Sequence, residues 1–350
     1  MHSIIREDLE KLYTRDYQWS LLKNATVLVT GGYGMIASYV VYYLIYLNEE
    51  HDMNIKIVCQ GRNREKMAQR FSNYRDKSYF FEEYFDLNEK IEINHRADYI
   101  FHAASLANPS YYQKNPIEVE EPNAVGTYFL LKYARECEVK GFLYFSSGDV
   151  YGKMGEQGVD ITEDMYGIVD PLDMHSCYGE SKRMGETWCV SFYREHGVPV
   201  KIARIGHTYG PTMDIYNDPR VFASFMRDVI EGRDITMLSD GSAQRPFCYI
   251  ADAVAAFFLL LFKGRDGEAY NVCNTEAFIS IAMLAETLVS LFPDKHLKVI
   301  KKERTNTGDY LEAAFNKANK TVEAKIKQLG WHCEYTITEG FQRVAQALSR

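Results

Sequence analysis

Apolar residues first gather in a short run, TVLV at 26–29, that closes on Thr30-Gly31-Gly32 and gives way to MIASYVVYYLIYLNEE. That succession predicts a strand, a tight turn and a helix. The figure repeats as IKIVCQ (55–60) before a polar helical stretch from Asn63 to Phe71, and as SYFFEEYFDL, which ends at Asp86. DYIFHAAS and GFLYFSS follow, on either side of a long helical segment from Pro116 to Glu138. A further helix over Cys177 to His196 leads into PVKIARI, the sixth strand. Strands alternating with helices predict βαβ units: an α/β fold with a doubly wound parallel sheet and ligands at the carboxyl ends of its strands. Beyond Gly206 the alternation loosens, TYGPTMDIYNDPR reads as loop, and helices then mix with short strands, which predicts a smaller, partly discontinuous lobe.

Composition narrows this picture. At 350 residues and 46% hydrophobic, the chain is long enough for one large or two closely joined domains. Its net charge of −8 and lack of a long basic block argue against a nucleic-acid partner. The runs Val40 to Leu47 and Ala253 to Phe262 fall short of the ~20 residues that span a bilayer and read as buried helices, so no membrane association is expected. Seven scattered cysteines, with neither CxxC pairs nor a Cys/His metal spacing, predict no metal site and a reducing, cytoplasmic setting. The first 24 residues are charged throughout and amphipathic around Ile4 to Leu12, unlike a signal peptide; they are expected to cover a sheet edge or extend an interface.

The pattern Thr30-Gly31-x-x-Gly34-x-x-Ala37 sits directly between a strand and a helix. Gly31 permits the turn, Gly34 lets backbone approach a pyrophosphate, and Ala37 allows close helix–strand packing, with phosphates at the helix N-terminus beside Met35 and Ile36. This predicts a Rossmann-like dinucleotide-binding domain over 25–204, an N-terminal extension over 1–24, and a mainly substrate-binding lobe over 205–350, part of which returns to the sheet. The second strand ends Cys59-Gln60-Gly61-Arg62, without the acidic residue that usually holds the adenosine ribose. Arg62 is suited to pair with a 2′-phosphate, so NAD and NADP both stay open; Asp86 and Leu87 are candidates for the adenine end.

Tyr178 and Lys182, in SCYGESKRMGE, are four apart and share a helix face. A phenol whose pKa is lowered by a neighbouring ammonium and by a cationic nicotinamide can accept a hydroxyl proton near neutral pH. Tyr128 and Lys132 match the same spacing but lack a strand-end serine ahead of them, whereas Tyr178 follows the YFSS of the fifth strand.

Taken in order, the glycine turn, FHAAS, NAVGT, SSGDVYG, Tyr178-x-x-x-Lys182, RIGHTYGP and GSAQRPFCYIAD resemble the extended short-chain dehydrogenase/reductases that rework nucleotide-diphosphate sugars. The resemblance runs from about residue 25 to 275 and returns at KQLGWHCEYTITEGFQ. NPSYYQKNPIEV, DPLDMHSCYGESKRMGETWC and NDPRVFASFM are most similar to UDP-glucuronate decarboxylases. The resemblance implies a tightly bound, recycled NAD lined by Ala103 and Ala104. It also implies that Ser147 holds the sugar O4 beside Tyr178, Lys182 binds the nicotinamide ribose, Arg245 clamps the diphosphate and Arg220 lies near the nucleotide. His207 stands where relatives carry asparagine and is a candidate substrate contact. Asp149 replaces a glutamate, Gly148 replaces the dehydratases' aspartate, and NTGDYLEAAFNKANKT replaces an arginine-rich stretch, for which Lys317 or Arg304 would have to substitute.

A 4-keto sugar made from a glucuronate is a β-keto acid, whose loss of CO2 needs positioning and a proton donor, a part open to Asp149. Dehydration at C6 needs an acid that Gly148 cannot supply, and 4-epimerisation needs no further acid or base. Decarboxylation therefore ranks first, 4-epimerisation second and 4,6-dehydration third; a dinucleotide-sensing module is the non-enzymatic alternative. The resemblance also implies a homodimer through the helices 116–138 and 177–196, on which Tyr128, Leu131, Met184, Trp188 and Phe192 suit an outer, partner-facing surface and the internal core equally well.

Overall fold

The computed structural model describes residues 1–89, 91, 93–155, 158–302 and 319–349. Seven strands form the central sheet: β1 (Thr26–Thr30), β2 (Lys56–Gln60), β3 (Phe80–Glu83), β4 (Tyr99–His102), β5 (Gly141–Ser147), β6 (Val200–Ile205) and β7 (Glu268–Val272). Their order is β3-β2-β1-β4-β5-β6-β7, and every neighbouring pair is parallel. Alternate residues feed opposite faces, so β1 sends Val27 and Val29 into one core and Leu28 into the other. Burial on both faces is why TVLV reads as a continuous apolar run.

Helices cover both faces. The core holding Val27 and Val29 is completed by α2 (Met35–His51) and α7 (Ile250–Lys263), whose runs around Val40 and Ala253 are buried all round. Leu28, Ile100 and Phe142 pack against α4 (Pro116–Cys137) and α5 (Ser176–His196). The polar stretch after β2 becomes α3 (Arg64–Phe71), with the Asn63 side chain accepting from the Lys66 N–H at 2.9 Å. Four of the five side chains on α4 and α5 that suited either surface or core belong largely to internal packing. Leu131 and Phe192 are buried, and Tyr128 stacks among Trp188 and Phe192; Met184 alone of the five is exposed. Two expectations of strand extent also change: β3 stops at Glu83, three residues before Asp86, and His207–Tyr209 is a strand where the chain was expected to loosen into loop.

The smaller part of the chain contains a three-stranded sheet in which Gln244–Tyr249 lies between His207–Tyr209 and Phe278–Ser280. Helices α6 (Val221–Ile230) and α8 (Ile281–Ser290) pack beside one another there. The expected return to the main sheet is made by β7, paired with β6.

The N-terminal segment forms α1 (Ser3–Tyr13), which lies on α2, α7 and the C-terminal α9 (Ile337–Leu348) rather than on a sheet edge. Its inward face carries Ile5, Leu9 and Leu12, and also the fully buried carboxylate of Asp8. Asp8 accepts hydrogen bonds from the hydroxyls of Tyr39, Tyr249 (2.6 Å) and Tyr335 (3.0 Å) and is ion-paired with Arg343 at 2.7 Å. Burial pushes its carboxyl pKa up, against the pull of those hydrogen bonds and the guanidinium. One side chain thus joins α1 to α2, to the smaller sheet and to the C-terminal segment. Asp8→Ala would leave Arg343 and three phenols facing a void, and we expect a loss of about 3–5 kcal/mol in denaturant-unfolding stability.

Candidate active site

The site lies at the carboxyl ends of β1, β4 and β5, where the strand order reverses. Gly31 has φ +63°, and a Cβ there would stand 2.7 Å from the Ala104 Cα, so both conformation and space require glycine. Gly34 caps α2, and Met35 and Ile36 form its first turn, half-buried, with the unpaired N–H groups of a helix start. This cradle suits the pyrophosphate of a dinucleotide. Gln60 is spoken for: its Oε1 accepts from the Gly31 N–H at 3.1 Å and its Nε2 donates to the Phe85 carbonyl at 2.7 Å. Arg62 and Asp86, both half-exposed, face each other at 3.7 Å. The Leu87 side chain is buried in the core, close against α4 at Gly126.

A chain of buried hydrogen bonds runs from the glycine turn to α5. The Thr30 hydroxyl accepts from the Ala103 and Ala104 N–H groups, at 3.1 and 3.2 Å, and lies 2.9 Å from His102 Nδ1. Burial and the nearby Lys182 push the His102 pKa down to about 3, so the ring is neutral. With its single proton pledged to Nδ1, the Thr30 hydroxyl makes that nitrogen the acceptor, and His102 Nε2–H donates to Thr127 Oγ1 at 2.9 Å. Thr127 donates to the Asn123 carbonyl (2.6 Å), the Asn123 amide to Ser181 Oγ (3.1 Å), and Ser181 to the Tyr178 carbonyl (3.0 Å). Of these five polar side chains only Thr30, in the glycine pattern, was named from the sequence. Their signal was present in VTGG, FHAAS, NAVGT and GESK, where small polar residues flank the motif glycines and alanines.

Tyr178 and Lys182 are buried together on α5. Lys182 Nζ donates to the Phe145 carbonyl at 2.6 Å and stands 5.8 Å from the Tyr178 ring centroid. Burial pushes Lys182 down to about 7, opposed by the charge of Glu186 one turn along the helix. Among the chain's own groups the balance raises the Tyr178 phenol: burial and the Asp149 carboxylate outweigh the pull of Ser147, Arg220 and Ser105. The same influences place Asp149, on the short 3-10 helix Gly148–Tyr151, within electrostatic reach of the phenol, while Ser147 Oγ caps that helix by accepting from the Asp149 N–H at 3.2 Å. No atom lies within 4 Å of where a Gly148 Cβ would stand, so packing does not demand glycine there. Tyr112, from the short helix Pro109–Tyr112, stacks on Tyr178 with centroids 5.3 Å apart, a contact the sequence did not disclose.

Behind these groups Glu186 binds Arg204 through two hydrogen bonds, 3.0 and 2.8 Å, and accepts from Ser146 Oγ at 2.6 Å. Arg204 also donates to Tyr151 OH at 3.1 Å. The cluster therefore touches the residue before Ser147 and the helix that carries Asp149.

Of the residues expected from the smaller lobe, Arg220 is N-terminal to α6, ion-paired with Asp218, and 3.8 Å from Met35 Sδ. His207 and Arg245 share one face of the three-stranded sheet: His207 is the register partner of Phe247, two residues beyond Arg245. Arg245 donates to the Gln244 carbonyl at 2.7 Å. Lys317 and Arg304 lie outside the described residues.

A parallel sheet with a glycine cradle at its switch point, facing a buried tyrosine–lysine pair, defines a dinucleotide-dependent enzyme of the Rossmann type. Residues 27–273 match the NAD dependent epimerase/dehydratase family, and the chain belongs to it. UDP-glucuronic acid decarboxylase 6 of Arabidopsis thaliana is 31% identical over 318 residues, covering 91% of this chain and 87% of the plant protein. UDP-glucose 4-epimerase of Thermotoga maritima shares the fold with a TM-score of 0.77 at 23% identity, over 92% of this chain and 98% of that one. UDP-glucuronic acid 4-epimerase of Bacillus cereus, solved with UDP-glucuronic acid and NAD, gives 0.73 at 20% identity, over 92% and 98%.

Glu186 props up the charge on Lys182, so Glu186→Gln should lower the lysine pKa further. If protonated Lys182 is the active form, the basic limb of the kcat/KM–pH profile moves to lower pH in the variant, while the acid limb stays in place.

Proposed function

We propose that this enzyme binds a nucleotide-diphosphate sugar, oxidises it at C4 and decarboxylates a UDP-glucuronate-like substrate. The observation that carries the proposal is the convergence of Ser147, Tyr178, Lys182 and Asp149 at the switch point with no side chain at position 148. The likeness to named UDP-glucuronic acid decarboxylases over 91% of the chain supports it.

In this reading NAD, when bound beside C4, would supply the hydride acceptor and donor. The chain's own groups manage protons and position. Gly31, Gly34, Met35 and Ile36 hold the pyrophosphate, with Ala103 and Ala104 lining the nicotinamide side; Lys182 binds the adjoining ribose. Ser147 holds O4, and the Tyr178 oxygen takes its proton. The positive charge of Lys182 and of Arg220 favours the phenolate form that accepts this proton. The 4-keto glucuronate then loses CO2, and the enolate left behind takes a proton from Asp149, which enters this step as the neutral acid after protonation from solvent. Arg245 and His207, on one sheet face, serve the diphosphate and sugar. Without an acid at position 148, expulsion of the C6 hydroxyl lacks its proton donor, which ranks dehydration last.

We also propose a homodimer through α4 and α5. Ile117, Val125 and Met184 stand exposed on these helices, at 67, 42 and 38%. Seven unpaired cysteines support a reducing, cytoplasmic setting.

Incubation with UDP-glucuronate, followed by NMR, should release CO2 and give a nucleotide-linked pentose with no net consumption of NAD. An unchanged mass with inverted C4 selects 4-epimerisation instead, and steady accumulation of NADH would overturn both. Tyr178→Phe should cut turnover by about 10²–10⁴-fold while the protein stays folded. Met184→Glu should convert the dimer to a monomer in light scattering at micromolar concentration, with the circular dichroism spectrum retained.

A further inference from the structure

We infer that the adenosine end of the dinucleotide site accepts a 2′-phosphate, so that the chain binds NADP alongside NAD, with Arg62 as the phosphate partner and Asp86 as the group that limits its pull. The inference rests on the dinucleotide site alone and not on the sugar chemistry.

Selectivity for NAD in a Rossmann site normally comes from a carboxylate at the end of the second strand, which accepts from the ribose hydroxyls and repels a phosphate there. In this chain that place is taken by Gln60, uncharged and 2% exposed. Both ends of its amide are committed, one to the Gly31 N–H and the other to the Phe85 carbonyl, so it locks the turn and has no carboxylate to turn a phosphate away. Gly61 follows under the Tyr33 ring, where a Cβ would meet Cε1 at 2.4 Å, so no side chain can be placed there without moving the ring. The first side chain past the strand able to meet a ribose substituent is Arg62. Arg64, two residues on, lies over the Tyr84 ring at 4.0 Å.

Arg62 meets Asp86 at 3.7 Å, beyond hydrogen-bond length, and both side chains are about half exposed, at 48 and 41%. A pair so long and so wet is weak and costs little to rearrange. A guanidinium gains more from the bidentate, doubly charged oxygens of a phosphate than from such a contact. Asp86 stands opposite with a negative charge, so it favours the bare ribose and tempers the phosphate; the two residues together set the ratio.

The test is direct binding to protein freed of bound dinucleotide, by calorimetric titration with NADP and with NAD at two salt concentrations. The wild type should bind NADP within about tenfold of NAD, with the NADP affinity falling more steeply with salt. Arg62→Ala should weaken NADP by about ten- to a hundredfold and NAD by less than about threefold. Asp86→Asn should shift the NADP-to-NAD affinity ratio toward NADP by about three- to tenfold. NAD binding with no measurable NADP binding would overturn the inference. So would an Arg62→Ala variant that weakens both dinucleotides equally. If neither dinucleotide binds, the inference falls together with the dinucleotide site, an outcome that a missing sugar activity cannot imitate.

Discussion

The buried chain of hydrogen bonds from Thr30 through His102, Thr127, Asn123 and Ser181 to the backbone of Tyr178 sets the dimensions of the site. In a dry interior an unpaired hydroxyl or imidazole costs as much as a lost hydrogen bond or more, so each member holds its neighbours at contact distance. These hydrogen bonds start at the glycine turn and end on the helix that bears the phenol. Their protonation state is also determined: a histidine held neutral beside Lys182 adds no second cation to a pocket where one is already strained by burial.

The lysine's position exposes a balance of forces. Desolvation favours its neutral form, and the Glu186 carboxylate, itself clamped by Arg204 and Ser146, resists that shift from one helical turn away. The same clamp fixes the end of β5 and, through Tyr151, the short helix that carries Asp149. Tyr178 is subject to the opposite field: Asp149 raises its pKa and Arg220 lowers it. The carboxyl group proposed to protonate a sugar carbon also raises the phenol's pKa while it is ionised.

Distant parts of the chain are tied together by buried carboxylates in a similar way. Asp8 gathers three phenols and Arg343 around α1. Asp252, at the start of α7, accepts from the Glu334 and Tyr335 N–H groups at 3.0 and 3.2 Å and from Arg15 at 3.1 Å. Tyr249 and Tyr335 each bond Asp8 while their rings lie 4.7 Å apart, so the N-terminal helix, the smaller sheet and the C-terminal segment meet at one place.

The sequence by itself determined the alternation of strand and helix, the glycine turn, the tyrosine–lysine pair and the strand-end serine, because each depends on residues within a few positions of one another. Gly31, Tyr178 and Ser147 were legible for that reason. Elements buried on both faces were equally plain, since a parallel strand leaves an unbroken apolar run. Only the tertiary structure decided what joins residues far apart in the chain. Gln60 spends its amide on the turn, His102 is neutral, Tyr112 stacks on Tyr178, Glu186 clamps Arg204, and α1 lies against three helices rather than a sheet edge. The phenol's pKa belongs to this second group: spacing shows that an ammonium is near, but the field at an oxygen is the sum of burial and every surrounding charge, and that sum exists only once the chain has folded.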